Sequence, residues 1–399
     1  MILNIIFGSL AGLSFILLLW QWFAARRFPL HQRVGDTSFA PAVTLLKSVK
    51  GADAATEDCL RSWFAQDYAG EVQILFAVAS AEDPVCAIVK KLIQEFPARD
   101  AQLVICPQIT GANAKVSKLA ELEKLAKHEI ICISDADVRV PADFLANAVA
   151  PLRAPDAGLV NCFYRLANPT TLAMQWEAIA MNADFWSQVL QSQTLKPLDF
   201  ALGAAMLTRR KQLAEIGGFE SLKDCLADDY QLGNRIARKG HRIVLCPVVV
   251  ECWDPPMDWS GVWKHQLRWA RTIRVSQPAP YFFSVLSNAG FWAMVWMLFG
   301  IATTTASFHS VGDNAFVGHI APGIGFTVGI GLTVLRLWIA SNLQYRLTRA
   351  SNAEHFWLVP IKDLLQFAIW LCAFAGSTIE WRGQKFRLRR DGTLVKPGT

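Results

Sequence analysis

Two carboxylates one residue apart close an apolar run, Ile130-Ile131-Cys132-Ile133-Ser134-Asp135-Ala136-Asp137. Residues i and i+2 of an extended chain point the same way, so Asp135 and Asp137 can reach one small object at the end of a buried strand. Ligands of open α/β sheets collect outside the carboxyl ends of the strands. A hard divalent cation carrying diphosphate oxygens suits such a pair, since Mg²⁺ and Mn²⁺ take one or two carboxylates plus substrate phosphates. An Asp-x-Asp alone more often marks a solvated turn, so the other charged residues must decide.

Further carboxylates stand at Asp83 and at Asp228-Asp229, with lysines at Lys47, Lys50 and Lys115. Together they outline a nucleotide-sugar site. Asp83 and the Lys47–Lys50 loop can meet a uracil, while Asp135 and Asp137 can hold the metal on the diphosphate. Lys115, Arg268 and Arg271 can stabilise a departing UDP by fixed charge. Asp229 can take the proton of an acceptor hydroxyl, and Asp228 beside it would raise its proton affinity, as a base requires. On a helix His265 and Arg268 share a face with Trp269 adjacent, a clamp for the diphosphate. Two alternatives stand beside these readings. Acidic residues at a helix start also answer the helix dipole, and a Trp/Arg cluster also suits a membrane surface.

The elements that must position these residues follow a strand–helix alternation. Strands are expected at 43–46, 72–78, 103–106 and 130–133, with helices at 57–66, 84–95 and 116–128. That order predicts a mainly parallel sheet with right-handed crossovers, which gathers the carboxyl-end loops on one rim. Later, 160–164 and 243–250 read as strands, 172–190 as an amphipathic segment, and the segment up to 239 as a helix. Gly203, Ala204 and Ala205 mark a place where backbone can approach a ligand closely.

Apolar residues make up 53% of the 399, and charged residues only 18%. With 15 Trp against 5 Tyr, the balance suits a membrane interface. A net charge of +6 fits anionic headgroups and an anionic donor, and no nucleic-acid motif accompanies it. The nine cysteines are scattered without a CxxC pair, as small buried residues of a reducing compartment are. Residues 3–25 are apolar over about the 20 residues that a bilayer crossing needs, with Arg26-Arg27 behind them. This reads as an uncleaved anchor with the following chain in the cytoplasm. Apolar stretches recur at 281–308 and 319–344, separated by a segment at 309–318 without Lys or Arg that reads as an outside loop. The stretch 356–381 has cationic flanks on both sides, so it is expected to be re-entrant or interfacial, with Lys362 reaching to the surface. The tail, with Arg382, Lys385, Arg387, Arg389 and Arg390, reads as cytoplasmic.

The stretches LLKSVKGAD (45–53), AEDP (81–84), GANAKVSKL (111–119), SDADVRV (134–140), IGGF (216–219), LADDYQLG (226–233) and HQLRWART (265–272) resemble, in order and spacing, the family 21 glycosyltransferases. This is the ceramide glucosyltransferase family, a branch of the inverting GT-A enzymes. The resemblance implies Asp83 as first aspartate, Asp135 as second, Asp229 as third and base, and Arg268-Trp269 as the end motif. Two positions depart from the family pattern: His265 stands where Arg or Gln is usual, and Lys118 replaces an amide. HQLRWART, LADDY and the tail WRGQKFRLRRDG look closest to the bacterial branch, which also contains hopanoid-associated glycosyltransferases.

The expected architecture is α/β. An N-terminal transmembrane anchor (1–27) precedes a cytoplasmic GT-A, Rossmann-like domain (41–275), a C-terminal membrane region (281–381) and a basic tail (382–399). The expected reaction moves a hexose from a UDP-sugar to a lipid hydroxyl with Mg²⁺ or Mn²⁺, on the cytoplasmic face of a bacterial inner membrane. UDP-glucose with ceramide is the first pair, and UDP-N-acetylglucosamine with a hopanoid polyol the second. A processive polysaccharide synthase would need more membrane helices to form a channel. A non-enzymatic scaffold would not need the full set of aspartates.

Overall fold

The computed structural model describes residues 2–310, 320–350, 355–381 and 383–396. Most of the expected outside loop at 309–318, and Arg382 of the tail, lie outside the described residues. The chain divides into two units, one of helices (1–28, 171–191, 258–377) and one built on sheets (29–170, 192–257, 378–399). These units cut across the linear boundaries 41–275, 281–381 and 382–399.

In the sheet unit the strands are β1 (Val43–Ser48), β2 (Val72–Val78), β3 (Asp100–Ile105), β4 (Ile130–Ser134), β5 (Val138–Arg139), β6 (Ala157–Leu166), β7 (Ala205–Arg209) and β8 (Arg242–Cys252). They form one sheet in the order β3-β2-β1-β4-β7-β6-β8-β5. β1, β2 and β4 are buried along their whole length, as apolar runs between covering helices must be. The helices Thr56–Phe64, Val85–Glu95 and Ala114–Leu125 make the crossovers, and β3, β2, β1 and β4 all run parallel. The ends of these four strands therefore share one rim.

Beyond β4 the sheet is mixed rather than mainly parallel. β7 runs antiparallel to β4 and β6, β6 pairs parallel with β8, and β5 runs antiparallel to β8. A buried strand has the same composition in either direction, so the sequence did not carry this reversal. Its consequence is local: Ala205 pairs with Ser134, and the Asp135 amide donates to the Ala204 carbonyl at 3.3 Å. The start of β7 thus lies on the same rim.

A second, three-stranded antiparallel sheet joins β9 (Thr378–Trp381), β10 (Gln384–Leu388) and β11 (Leu394–Val395). The basic tail is folded into this unit. The Leu226 amide donates to Gly392 O at 3.2 Å, and Leu394 to Asp224 O at 2.8 Å. Phe386 and Leu388 face inward, while Lys385 and Arg387 stay exposed, the period of two that a strand requires.

In the helical unit, Ile2–Arg27 and Gly325–Thr348 are long and apolar enough to cross a membrane. Pro278–Ser287 and Ala289–Thr303 meet at 48°, so the stretch expected at 281–308 is a bent pair. The stretch 356–381 is a 17-residue helix, Leu358–Phe374, followed by β9. Lys362 does not reach to the surface. It is 5% exposed and pairs with Asp184 and Asp363, because carboxylates within the unit satisfy its charge where lipid could not. Arg336 completes this buried quartet, 2.8 Å from Asp184 and 2.9 Å from Asp363.

Candidate active site

The rim of the sheet collects the expected residues in layers. Gly51 holds φ +69°, a conformation that glycine adopts without strain, and its amide donates to Asp83 Oδ1 at 2.9 Å. The same oxygen accepts from Val85 N at 3.1 Å, at the first residue of the next helix. Asp83 therefore fixes the loop that presents the exposed Lys50. Lys47 behaves differently. Its side chain, expected to face a donor, is fully buried, and its ammonium donates to Ser134 Oγ (3.1 Å) and Asp135 O (2.6 Å) above the Trp63 ring. It supports the aspartate loop from beneath. Burial pushes Lys47 down to about 8, with Asp135 and Asp137 opposing the fall.

Asn113 caps the Ala114–Leu125 helix, accepting from the Lys115 and Val116 amides, and its Nδ2 donates to Cys225 O at 2.9 Å. That junction aims Lys115 at two carboxylates, Asp135 Oδ1 at 2.6 Å and Asp228 Oδ2 at 3.0 Å. Burial works against the ammonium, but the two carboxylates outweigh it and hold Lys115 well above the ordinary lysine range. One cation thus joins the second aspartate site to the third.

Asp229 opens the Asp228–Arg238 helix, with Oδ1 accepting from the Tyr230 amide at 2.8 Å. The backbone of Gly203 lies against it: a Cβ there would stand 2.6 Å from Asp229 Oδ2. The small residue expected to let backbone approach a ligand instead lies against the Asp229 carboxylate. Burial and the neighbouring Asp228 push Asp229 up to about 6, against the pull of Lys115.

Asp137 is half-buried, and burial, then the Asp135 and Asp254 carboxylates, push it up to about 7. Among the described residues no group of three or more His, Cys, Asp or Glu side chains forms a metal cage. A donor set of two crowded, mutually repelling carboxylates fits a hard cation that draws its remaining ligands from phosphate oxygens.

The end-motif residues belong to the helical unit. They lie on the Trp259–Ser276 helix, started by Asp258, whose side chain accepts from Gly261 N at 2.7 Å. His265 and Trp269, one turn apart, meet edge to face at 4.7 Å. His265 Nδ1 and Gln266 Nε2 both lie 2.8 Å from Oε1 of Glu177, which is fully buried. Arg268, Trp269 and Arg271 are half-buried. Glu177 escaped the sequence reading. Its signal was a single acid in the apolar run Met174–Met181, where only a paired side chain can be buried.

Parallel strands that deliver carboxylates to one rim, with an antiparallel strand returning beside them, are the GT-A glycosyltransferase design. Residues 6–394 match the model of glycosyl transferase family 21, and the chain belongs to that family. Ceramide glucosyltransferase 3 of Caenorhabditis elegans is 22% identical over 375 residues, covering 93% of this chain and 78% of its own. Beta-monoglucosyldiacylglycerol synthase of Synechocystis sp. is 24% identical over 249 residues, covering 59% and 49%. Among solved structures, the mannosyltransferase PcManGT from Pyrobaculum calidifontis, in complex with GDP-Man and Mn²⁺, superposes with a TM-score of 0.54. It is 20% identical and covers 91% of this chain and 99% of its own, a likeness of fold.

Proposed function

We propose that this glycosyltransferase moves a hexose from a UDP-sugar to the hydroxyl of a membrane lipid with inversion, and that UDP-glucose and ceramide are the pair. The observation that carries the reading is Lys115, bonded at once to Asp135 and Asp228 beside Asp229. Asp229 accepts the proton of the acceptor hydroxyl, and a carboxyl near 6 is deprotonated at neutral pH yet basic enough for the task. The acceptor oxygen bonds to the anomeric carbon from the face opposite the nucleotide, the bond to the diphosphate oxygen breaks, and UDP leaves with the electron pair. Lys115 keeps positive charge beside Asp135 as that negative charge develops. Asp135 and Asp137 would hold Mg²⁺ or Mn²⁺, which supplies charge neutralisation to the diphosphate. Asp83 and Lys50 bound the part of the rim assigned to the nucleotide base. The cationic roles of Arg268 and Arg271, and the part of His265 and Trp269, rest on the sequence motif.

The relatives named for ceramide and diacylglycerol glucosylation support a lipid acceptor. The apolar helices Ile2–Arg27 and Gly325–Thr348 support a membrane-held enzyme, and Arg26-Arg27 favour the cytoplasmic face, here of a bacterial inner membrane. The test offers UDP-glucose and UDP-N-acetylglucosamine to purified protein, each with ceramide, a hopanoid polyol and diacylglycerol, and identifies products by mass spectrometry. Hexosylceramide is expected. An N-acetylhexosaminyl hopanoid or a hexosyl diacylglycerol would replace the acceptor and leave the mechanism, and no lipid product from any pair would overturn the reading.

A further inference from the structure

The tail sheet has two unlike faces. On β10, Phe386 and Leu388 are each 3% exposed, whereas Lys385 and Arg387 alternate with them and lie open to solvent. Arg389 continues the outward series, its amide still bonded to Thr393 O at 2.9 Å, and the exposed Arg390 follows. None of these four cations makes an ion pair or a side-chain hydrogen bond among the described residues. Two acids stand near them. Glu380 pairs with Lys385 across the ladder, and Asp391 Oδ1 accepts from Thr393 N and Oγ1 at 3.0 and 2.7 Å. The face is therefore net positive. Several other exposed cations of the sheet unit are neutralised in place: Lys124 lies 2.7 Å from Glu121, Lys127 2.7 Å from Asp100 and Arg242 2.8 Å from Asp156. Like charges left unneutralised on one ribbon repel each other, and an anionic surface relieves that repulsion.

Strand direction says where these cations go. β10 runs antiparallel to β9, with Lys385 beside Glu380 and Arg387 beside Thr378. The return strand thus carries its cations back to the residue at which the chain arrives from the Leu358–Phe374 helix, and Arg389 and Arg390 continue past it. Only three residues separate Phe374 from Thr378, so at most about 14 Å of chain joins them. The helix itself turns Ile361, Leu364, Leu371 and Phe374 outward, each at least 38% exposed. Exposed apolar side chains in such number mark contact with lipid. A basic segment directly after a lipid-facing helix meets the charged layer of the bilayer, where attraction to anionic headgroups acts.

We propose that the outer face of β10 docks on an anionic membrane surface, with Lys385, Arg387, Arg389 and Arg390 against lipid phosphates. Guanidinium groups match phosphate oxygens two at a time, which suits the three arginines to this task. The inner side of the tail sheet is already taken: Leu394 bonds to Asp224 and Leu226 to Gly392. Docking therefore uses only the side that the protein leaves open. Phosphatidylcholine, whose choline balances its phosphate, gains little there, whereas phosphatidylglycerol keeps its negative charge. The assignment rests on the membrane-held reading of the enzyme and does not depend on the transfer reaction.

The test reconstitutes the full chain in nanodiscs of mixed phosphatidylcholine and phosphatidylglycerol. One lipid or the other carries a photoreactive group at its head, and the labelled peptides are mapped. Phosphatidylglycerol is expected to label 384–390 at least about fivefold above phosphatidylcholine, and about 0.5 M salt to remove most of that excess by screening. Lys385→Gln, Arg387→Gln, Arg389→Gln and Arg390→Gln together abolish it. Arg387→Lys with Arg389→Lys and Arg390→Lys retains it, which guards against a folding defect. So does Lys90→Gln with Lys211→Gln, which takes charge from exposed positions elsewhere on the sheet unit. Labelling of Ile2–Arg27 and Gly325–Thr348 reports membrane insertion separately. Asp229→Asn keeps the tail labelling, so a failed transfer mechanism stays distinct from a failed dock. Equal labelling of the tail by both lipids, or an excess that survives the four glutamines, overturns the proposal. So does an excess lost on adding UDP, which would mark the face as a nucleotide contact.

Discussion

Gly203 and Asp229 touch so closely that no side chain fits between them, since a Cβ on Gly203 would stand 2.6 Å from Oδ2 and 3.1 Å from Cγ of the aspartate. The small residue at the start of β7 thereby fixes where the carboxylate can point. Gly203→Ala must displace the Asp229 carboxyl, which the Tyr230 amide and the helix start otherwise hold. We expect kcat to fall by at least about tenfold, roughly 1.4 kcal/mol of barrier, with donor affinity within twofold of the parent. Steady-state kinetics beside a donor-binding titration checks this, and an unchanged kcat would remove Asp229 from the reaction.

The charge state of Asp229 gives the pH profile its sign. Asp229, the proposed base, would act deprotonated, and its pKa is pushed up to about 6, so turnover should be flat above that value and fall about tenfold per unit below it. Asp228→Asn removes the neighbouring negative charge, so proton affinity at Asp229 drops and the acidic limb moves to lower pH. A limb that stays in place in Asp228→Asn would assign it to another group.

The rim was legible because its chemistry sits where strands end. Asp83, Asp135 and Asp229 follow buried runs or open helices, positions that patterning finds. Lys47 was not legible as a support residue. A strand buried on both faces gives no sign of where a lysine in it points, and only the packing shows the ammonium under Asp135. Glu177 lacked a motif, since its partners His265 and Gln266 lie far along the chain and no local spacing joins them. The tail was read for its charge and its likeness to the bacterial branch, not for its fold. The alternation in Gln384–Leu388 and the turn glycines Gly383 and Gly392, with φ +76° and +84°, were the signal for a hairpin.

That hairpin packs against the start of the helix that carries Asp229. β11 and the turn before it bond to Asp224 and Leu226, and Cys225 and Thr393 form a bridge, directly before Asp228. At Gly392 a Cβ would lie 3.0 Å from Gln231 Nε2, on the helix that carries Asp229. Gly392→Val combines positive φ with a β-branched residue, a strain of about 1–3 kcal/mol, whereas Gly392→Asn tolerates that conformation. Valine should lower both the melting temperature and kcat while asparagine stays near the parent. If both substitutions leave kcat intact, the tail is not coupled to the base.

The buried quartet in the helical unit should respond to charge balance rather than to bond count. Asp184 and Asp363 face Arg336 and Lys362, so two negative charges meet two positive ones in nearly complete burial. Removing one member leaves an uncompensated buried charge, at about 3–5 kcal/mol, whereas removing one of each sign keeps the sum at zero. Lys362→Met should therefore lower the melting temperature in detergent more than Lys362→Met combined with Asp363→Asn, although the double variant has lost more hydrogen bonds. The same melting curves carry the opposite result just as clearly: if the double variant is the less stable, individual hydrogen bonds and not net charge hold the Asp184 segment to the helices of Arg336 and Lys362.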